Sequence, residues 1–156
     1  MIIKILSSSS PDFHGVKYND KKVEKGTGEL MLMKNFPSFI NETSNQEEVR
    51  NYFKSISKNE KVKKPQFHAV ISTKFQQHSK EELTKVAENF MEEMNYGTQP
   101  FIVVFHNDTD NNHVHIVSTR VDKETGKKLN DSFERLKAQQ SLSNVLEKLY
   151  GIKSGE

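Results

Sequence analysis

PFIVVFHNDTDNNHVHIVSTRV, residues 100–121, is the stretch that decides the fold. It contains two apolar runs, 100–106 and 113–121, that are rich in β-branched and aromatic residues, as is typical of strands. Only the six residues 107–112 join them, whereas a parallel crossover needs about a dozen or more. The two runs are therefore predicted to be neighbouring antiparallel strands.

The rest of the chain alternates between strand-like and helix-like patterns. Apolar runs predict further strands at MIIKIL (1–6), ELMLMKNF (29–36) and FHAVIST (67–73). Capping boxes predict helices after Ser44 and Ser79, a last helix opens at 131–134, and 12–25 is predicted as a helix or a structured loop. We therefore predict a single α+β domain over residues 1–156, with an antiparallel central sheet of about five strands and helices packed mainly on one face.

The composition excludes several classes of protein. Of 156 residues, 33% are hydrophobic and 28% are charged, and there is no cysteine, which excludes a disulfide framework and a thiolate metal site. The opening MIIKILSSSS is too short and too weakly apolar for a signal peptide, and no stretch approaches the length of a membrane span. We expect a cytoplasmic protein without membrane insertion, and its net charge of +2 permits binding to nucleic acid without arguing for it.

Three of the six histidines fall within residues 106–115. Strand alternation puts His113 and His115 on one face, where their imidazoles are predicted to point outward, while Val114 and Ile116 point toward the helices. His106 ends the neighbouring strand and should lie beside them. Three neutral imidazoles suit a divalent cation and leave it open positions, but their chemistry does not decide which metal is bound. That each histidine is an ordinary strand residue stays open.

Basic residues crowd three segments of the chain, within 17–25, 58–64 and 120–128. If these segments converge, they form a phosphate-binding surface, and otherwise they are solvated faces. The candidate DNA contacts are Lys17, Lys21, Lys22, Lys63, Lys64 and Arg120.

The histidine segment, read as His-x-Asp-x-x-Asn-x-His-x-His from 106 to 115, resembles the metal-site motif of conjugative and mobilisation relaxases of the HUH endonuclease superfamily. GVKYNDKKVEKG, 15–26, is similar to the segment around the catalytic tyrosine of relaxases from mobilisable plasmids and transposons. FHAVIST and YGTQPFIVVFH look like the middle of that domain, so the resemblance covers nearly the whole chain.

The resemblance implies a palm-like sheet and a role for each residue of the motif. Tyr18 would be the nucleophile, and His106, His113 and His115 would hold the metal. Asp108 and Asn111 would support those ligands, although DTDNN is also ordinary turn chemistry.

The implied activity is metal-dependent, site- and strand-specific nicking and rejoining of DNA at an origin of transfer, through a covalent 5′-phosphotyrosine, for plasmid or transposon mobilisation. The implied metal is Mg²⁺ or Mn²⁺, with Zn, Ni or Co as alternatives. The implied partners, in a bacterial cytoplasm, are single-stranded DNA with an adjacent hairpin, accessory relaxosome proteins and a coupling protein. Relaxases commonly carry further C-terminal regions, so the chain as the N-terminal part of a longer protein stays open.

Three alternatives remain. Nucleophilic attack by Tyr150, downstream of the histidines, would indicate a rolling-circle replication initiator or a transposase of the same superfamily, although we interpret Tyr150 as a packing residue. A three-histidine zinc-type hydrolase would make Tyr18 irrelevant, and a single-stranded DNA binding module would not cleave at all. Among the remaining histidines, His68 is interpreted as a sheet residue, and His14 and His78 as surface residues.

Overall fold

The computed structural model describes residues 1–7 and 11–151. Within them the strands are β1 (Ile2–Ile5), β2 (Gly28–Lys34), β3 (Gln66–Ser72), β4 (Phe101–His106) and β5 (His113–Thr119). The helices are α1 (His14–Glu24), α2 (Gln46–Ile56), α3 (Lys80–Glu93) and α4 (Glu134–Tyr150). None of these helices combines the length and the apolar character that crossing a membrane requires.

The five strands form one antiparallel sheet in the order β1-β3-β5-β4-β2. The predicted pairing of β4 with β5 is confirmed, and its register sets His106 opposite His113. The same end of the sheet carries Ser72 opposite His113 and Gly28 opposite His106. Four strands therefore bring their ends to the histidines.

Two apolar cores lie on the two faces of this sheet. The larger core joins α3 and α4 to one face and includes Val114 and Ile116, as predicted. The smaller core joins α1 and α2 to the other face around Val104 and Val117. The predicted α+β class and five-stranded antiparallel sheet are confirmed, while the helices are shared between the faces more evenly than the sequence analysis predicted.

Helix α1 lies on the face that carries the histidines, and Gly15 lets it approach closely. The Gly15 N–H donates to the buried Gln66 Oε1 at 2.7 Å. A Cβ atom at position 15 would lie 2.9 Å from that oxygen and 3.0 Å from His68 Nδ1, so both side chains would have to shift to make room for it. Glycine therefore allows the close approach, which seats the next turns of α1 over the histidine end of the sheet.

Candidate metal centre

The three histidines of the motif meet on one face of the sheet. His106 closes β4, His113 opens β5 opposite it, and His115 follows on the same face. The ring centroids of His106 and His115 are 4.0 Å apart, and those of His106 and His113 are 5.0 Å apart. One ring nitrogen from each residue lies within 4.8 Å of the others, so the three could hold a single metal ion. The predicted gathering of these side chains is confirmed.

The three histidine side chains are more buried than they would be on an outward-facing strand. His106 is fully buried, His115 is buried and His113 is partly buried. The prediction that both imidazoles of β5 point outward is therefore wrong for His115, because α1 covers that part of the face. Burial, helped by the nearby histidines, lowers the pKa of His106 to about 4 and also lowers the pKa of His115. Both rings are neutral at neutral pH, which is the form that binds metals.

The hydrogen bonds of His106 leave one of its nitrogens free for a metal. Asn19 donates through Nδ2 to the Gly15 carbonyl at 2.7 Å, so its Oδ1 is the acceptor for His106 Nε2, 2.6 Å away. His106 Nε2 must then carry the proton, and Nδ1 keeps its lone pair. Within the described residues, this Nδ1 is buried with no hydrogen-bond partner. A buried polar atom without a partner costs free energy, and a divalent cation bound to Nδ1 would supply that partner.

The other two histidines are held in the same way. His113 donates through Nδ1 to the Asn111 carbonyl at 3.0 Å, which leaves Nε2 for a metal. His115 Nδ1 lies 2.7 Å from His68 Nε2. His68 is buried, and burial lowers its pKa to about 4, so it is neutral and its Nε2 can accept a hydrogen bond from the His115 Nδ1–H. Each candidate ligand thus has a partner on the nitrogen that faces away from the metal.

Two of these hydrogen-bond partners, His68 and Asn19, were not predicted from the sequence. His68 was interpreted as a plain sheet residue, and only the β3–β5 register, which pairs Val70 with His115, brings it alongside. Asn19 had no distinguishing signal, because it is one polar residue among many in α1. Asn111 contributes its backbone carbonyl to His113, as well as a side chain that accepts from the Phe75 N–H at 2.7 Å.

Tyr18 lies over the histidines from α1. Its ring centroid is 5.6 Å from that of His115 and 6.0 Å from that of His106, and the residue is 46% exposed. Lys22, one turn further along α1, places its ammonium 5.6 Å from the Tyr18 ring centroid. Lys22 pairs with Asp108 at 2.5 Å, and this hydrogen bond lowers the pKa of the Asp108 carboxyl. Asp108 therefore fixes the charge beside the tyrosine, whereas the family resemblance implied a role in supporting the metal ligands.

The other three tyrosines lie elsewhere in the described chain. Tyr150 is on α4, which packs against the opposite face of the sheet, and its ring centroid is 5.6 Å from that of His78. Tyr96 is buried against Phe67, and Tyr52 packs beside Phe36. The interpretation of Tyr150 as a packing residue agrees with its position, and Tyr96 and Tyr52 are packing residues as well.

Arg120 does not belong to a DNA-binding surface. It is buried, pairs with Glu134 at 2.6 Å and 3.0 Å, and donates to the carbonyls of Lys64 and Gln66. A guanidinium used in this way cannot also reach a phosphate, which contradicts its predicted role. Lys63 and Lys64 are exposed near Arg120, at the opposite end of the sheet from the histidines. Lys17 and Lys21 are exposed on α1, and their contacts with DNA stay predictions.

Comparison with known proteins shows which family the chain belongs to. The model of the relaxase family described as MobA/VirD2-like, nuclease domain, matches residues 18–152. The chain belongs to this family of relaxase nuclease domains, which nick DNA for mobilisation. A solved structure described as the molecular basis of vancomycin resistance transfer in Staphylococcus aureus is similar at a TM-score of 0.45 and 14% identity, over 81% of this chain and 72% of that one. No curated protein matches the chain.

Proposed function

We propose that this domain nicks one strand at an origin of transfer and rejoins it through a covalent bond between Tyr18 and the 5′ phosphate. The observation that carries the proposal is the position of Tyr18, whose ring lies 5.6 Å and 6.0 Å from two of the three clustered histidines. Family membership supports DNA nicking, and the geometry supports this tyrosine as the nucleophile.

In the proposed reaction, the Tyr18 phenol oxygen attacks phosphorus and loses its proton. The bond from phosphorus to the 3′ oxygen breaks, and that oxygen leaves with a proton as a free 3′ hydroxyl. The product carries a 5′-phosphotyrosine, and no water is consumed. One phosphodiester replaces another, so the bond energy is kept and the strand can be rejoined by the reverse attack.

A divalent cation held by His106, His113 and His115 would polarise the scissile phosphate and orient it toward the tyrosine. The chain's own contribution is to keep His106 and His115 neutral and to direct all three imidazoles at one point. Asn19, His68 and the Asn111 carbonyl each fix one of the rings. We propose Mg²⁺ or Mn²⁺ as the working ion, with Zn, Ni or Co as alternatives that three imidazoles also suit.

Lys22 supplies positive charge at the nucleophile. Its ammonium lies 5.6 Å from the centre of the Tyr18 ring, and Asp108 holds it there. A cation in this position favours the negative charge that develops on the phenol oxygen. Lys22 is therefore better placed to assist the attack than to grip DNA at a distance.

The proposed partners follow from the proposed relaxase function. The substrate is single-stranded DNA at an origin of transfer, with an adjoining hairpin, and Lys17 and Lys21 on the exposed side of α1 are proposed to contact its phosphates. Accessory relaxosome proteins and a coupling protein are proposed to assemble with the domain for transfer.

Product analysis tests the proposal. A single-stranded oligonucleotide carrying an origin of transfer, labelled on the 5′ side of the nick in one sample and on the 3′ side in another, is incubated with the protein and Mn²⁺. On a denaturing gel, the 3′-side fragment should run with the protein and the 5′-side fragment should be free. A free 5′ phosphate without an adduct would indicate the zinc-type hydrolase, and binding without cleavage would indicate the DNA-binding module.

A further inference from the structure

Phe75 is a large aromatic side chain left in solvent near the candidate metal centre. The residue is 59% exposed, and its φ of 53° lies in the left-handed region that favours glycine. A bulky residue adopts this conformation only where the surrounding structure holds it.

The loop between β4 and β5 holds the backbone of Phe75. The Phe75 N–H donates to Asn111 Oδ1 at 2.7 Å, and its carbonyl accepts from the Asn112 N–H at 2.7 Å. The Asn112 carbonyl in turn accepts from the Thr73 N–H at 3.0 Å. Asn111 is also the residue whose carbonyl fixes His113. A single residue therefore anchors both a candidate metal ligand and the exposed aromatic.

The sheet register places Phe75 close to the histidines. β3 ends at Ser72, which is the register partner of His113. Phe75 follows three residues later, so at most about 11 Å of chain separates it from Ser72. Lys74 lies beside it, with Nζ 5.6 Å from the Phe75 ring centroid. An aromatic face next to a cation is the combination that proteins use to bind single-stranded nucleic acid.

We propose that Phe75, together with Lys74, forms a stacking position for a base of the single strand, next to the phosphate at the metal centre. This inference rests on the proposed function and deepens it, because it names a contact with a base rather than with a phosphate.

Phe133 provides a matched control within the chain. It is also a phenylalanine with a left-handed backbone, at φ 54°, and is 79% exposed. It precedes α4, whose first residue, Glu134, pairs with Arg120. Arg120 follows β5 at the end of the strand that lies away from His113. Phe133 thus shares the exposure and the backbone conformation of Phe75 without the metal centre beside it.

The test compares two single-stranded probes by fluorescence anisotropy, an oligothymidine and an abasic sugar-phosphate strand of the same length. Phe75→Ala is expected to weaken oligothymidine binding about tenfold and to leave abasic-strand binding unchanged, since only the former offers a base to stack. Phe75→Tyr keeps a ring and should bind both probes as the wild type does, as should Phe133→Ala. The salt dependence of binding should be unchanged in all three variants, because no charge is removed.

An equal loss on both probes, no loss on either, or a wild type that binds the two probes equally would overturn the stacking position. Formation of the covalent adduct is measured separately on the same preparations. A wild type that forms the adduct but shows no effect of Phe75→Ala refutes the stacking position alone. A wild type that shows the stacking difference but forms no adduct refutes the proposed function alone.

Discussion

His68→Phe is expected to weaken the metal centre without touching the metal. His115 Nδ1 and His68 Nε2 are 2.7 Å apart, and both residues are buried. Phenylalanine keeps a ring of similar size but offers no acceptor to the His115 proton. His115 must then leave that N–H unpaired, or move the proton to Nε2, where it blocks the nitrogen that would bind the metal.

The magnitude follows from the general cost of losing such a partner. Removing an outer hydrogen bond to a metal-binding histidine typically costs about 10- to 100-fold in metal affinity, or about 1.4–2.7 kcal/mol. We expect the upper half of this range, because water cannot easily replace the lost acceptor at a buried site.

Calorimetric titration of the DNA-free protein with Mn²⁺ measures the effect. His68→Gln is the conservative variant, because its side-chain oxygen can accept from His115, and it should retain most of the affinity. His14→Gln alters an exposed histidine outside the cluster, with a side chain that is 66% exposed, and should bind as the wild type does. Urea unfolding confirms that each variant is folded. Wild-type Mn²⁺ affinity in folded His68→Phe would show that the hydrogen bond from His115 to His68 does not support metal binding.

Three further predictions concern stability and are measured by urea unfolding. Gly15→Ala should lose about 1–3 kcal/mol, because the added Cβ meets Gln66 and His68, and an unchanged midpoint would show that α1 is not closely seated. Arg120→Ala should lose about 3–5 kcal/mol, because it removes a buried guanidinium and leaves the partly buried Glu134 without its partner, while DNA binding by the fraction that still folds keeps its salt slope; a shallower slope would restore Arg120 as a phosphate contact. Burial lowers the pKa of His68 from 6.5 to about 4, so as the pH falls the unfolded chain binds a proton at this residue before the folded chain does. The free energy of unfolding of the metal-free protein should therefore fall by up to about 3 kcal/mol from this group between pH 6.5 and pH 4, with no loss above pH 6.5. A flat profile would contradict the burial.

The sheet could be predicted because its signals are local. Strand alternation and the six-residue connection define the β4–β5 pair, and the same two features bring His106 to His113. The position of α1 depends on a distant contact instead. Gly15 meets Gln66, 51 residues away, and no periodicity in residues 12–25 indicates that this segment covers the histidines.

The supporting residues of the site could not be predicted for the same reason. His68 is 47 residues from His115, and Asn19 is 87 residues from His106, so each hydrogen bond depends on tertiary structure alone. Arg120 shows the opposite error. In sequence it looks like one more basic residue of a cluster, and only the packing of α4 brings Glu134 to it. Charge clusters predict a surface only where no acidic partner folds back onto them.

Identification of the residue joined to DNA shows whether Tyr18 is the nucleophile. The adduct formed on a single-stranded origin-of-transfer oligonucleotide with Mn²⁺ is digested, and the nucleotide-bearing peptide is sequenced by mass spectrometry, with Tyr18→Phe and Tyr150→Phe examined in parallel. We expect the nucleotide on Tyr18. Tyr18→Phe should form no adduct while still binding DNA and Mn²⁺, and Tyr150→Phe should react like the wild type. An adduct on Tyr150 that persists in Tyr18→Phe would show that Tyr18 is not the nucleophile and would indicate a replication-initiator arrangement.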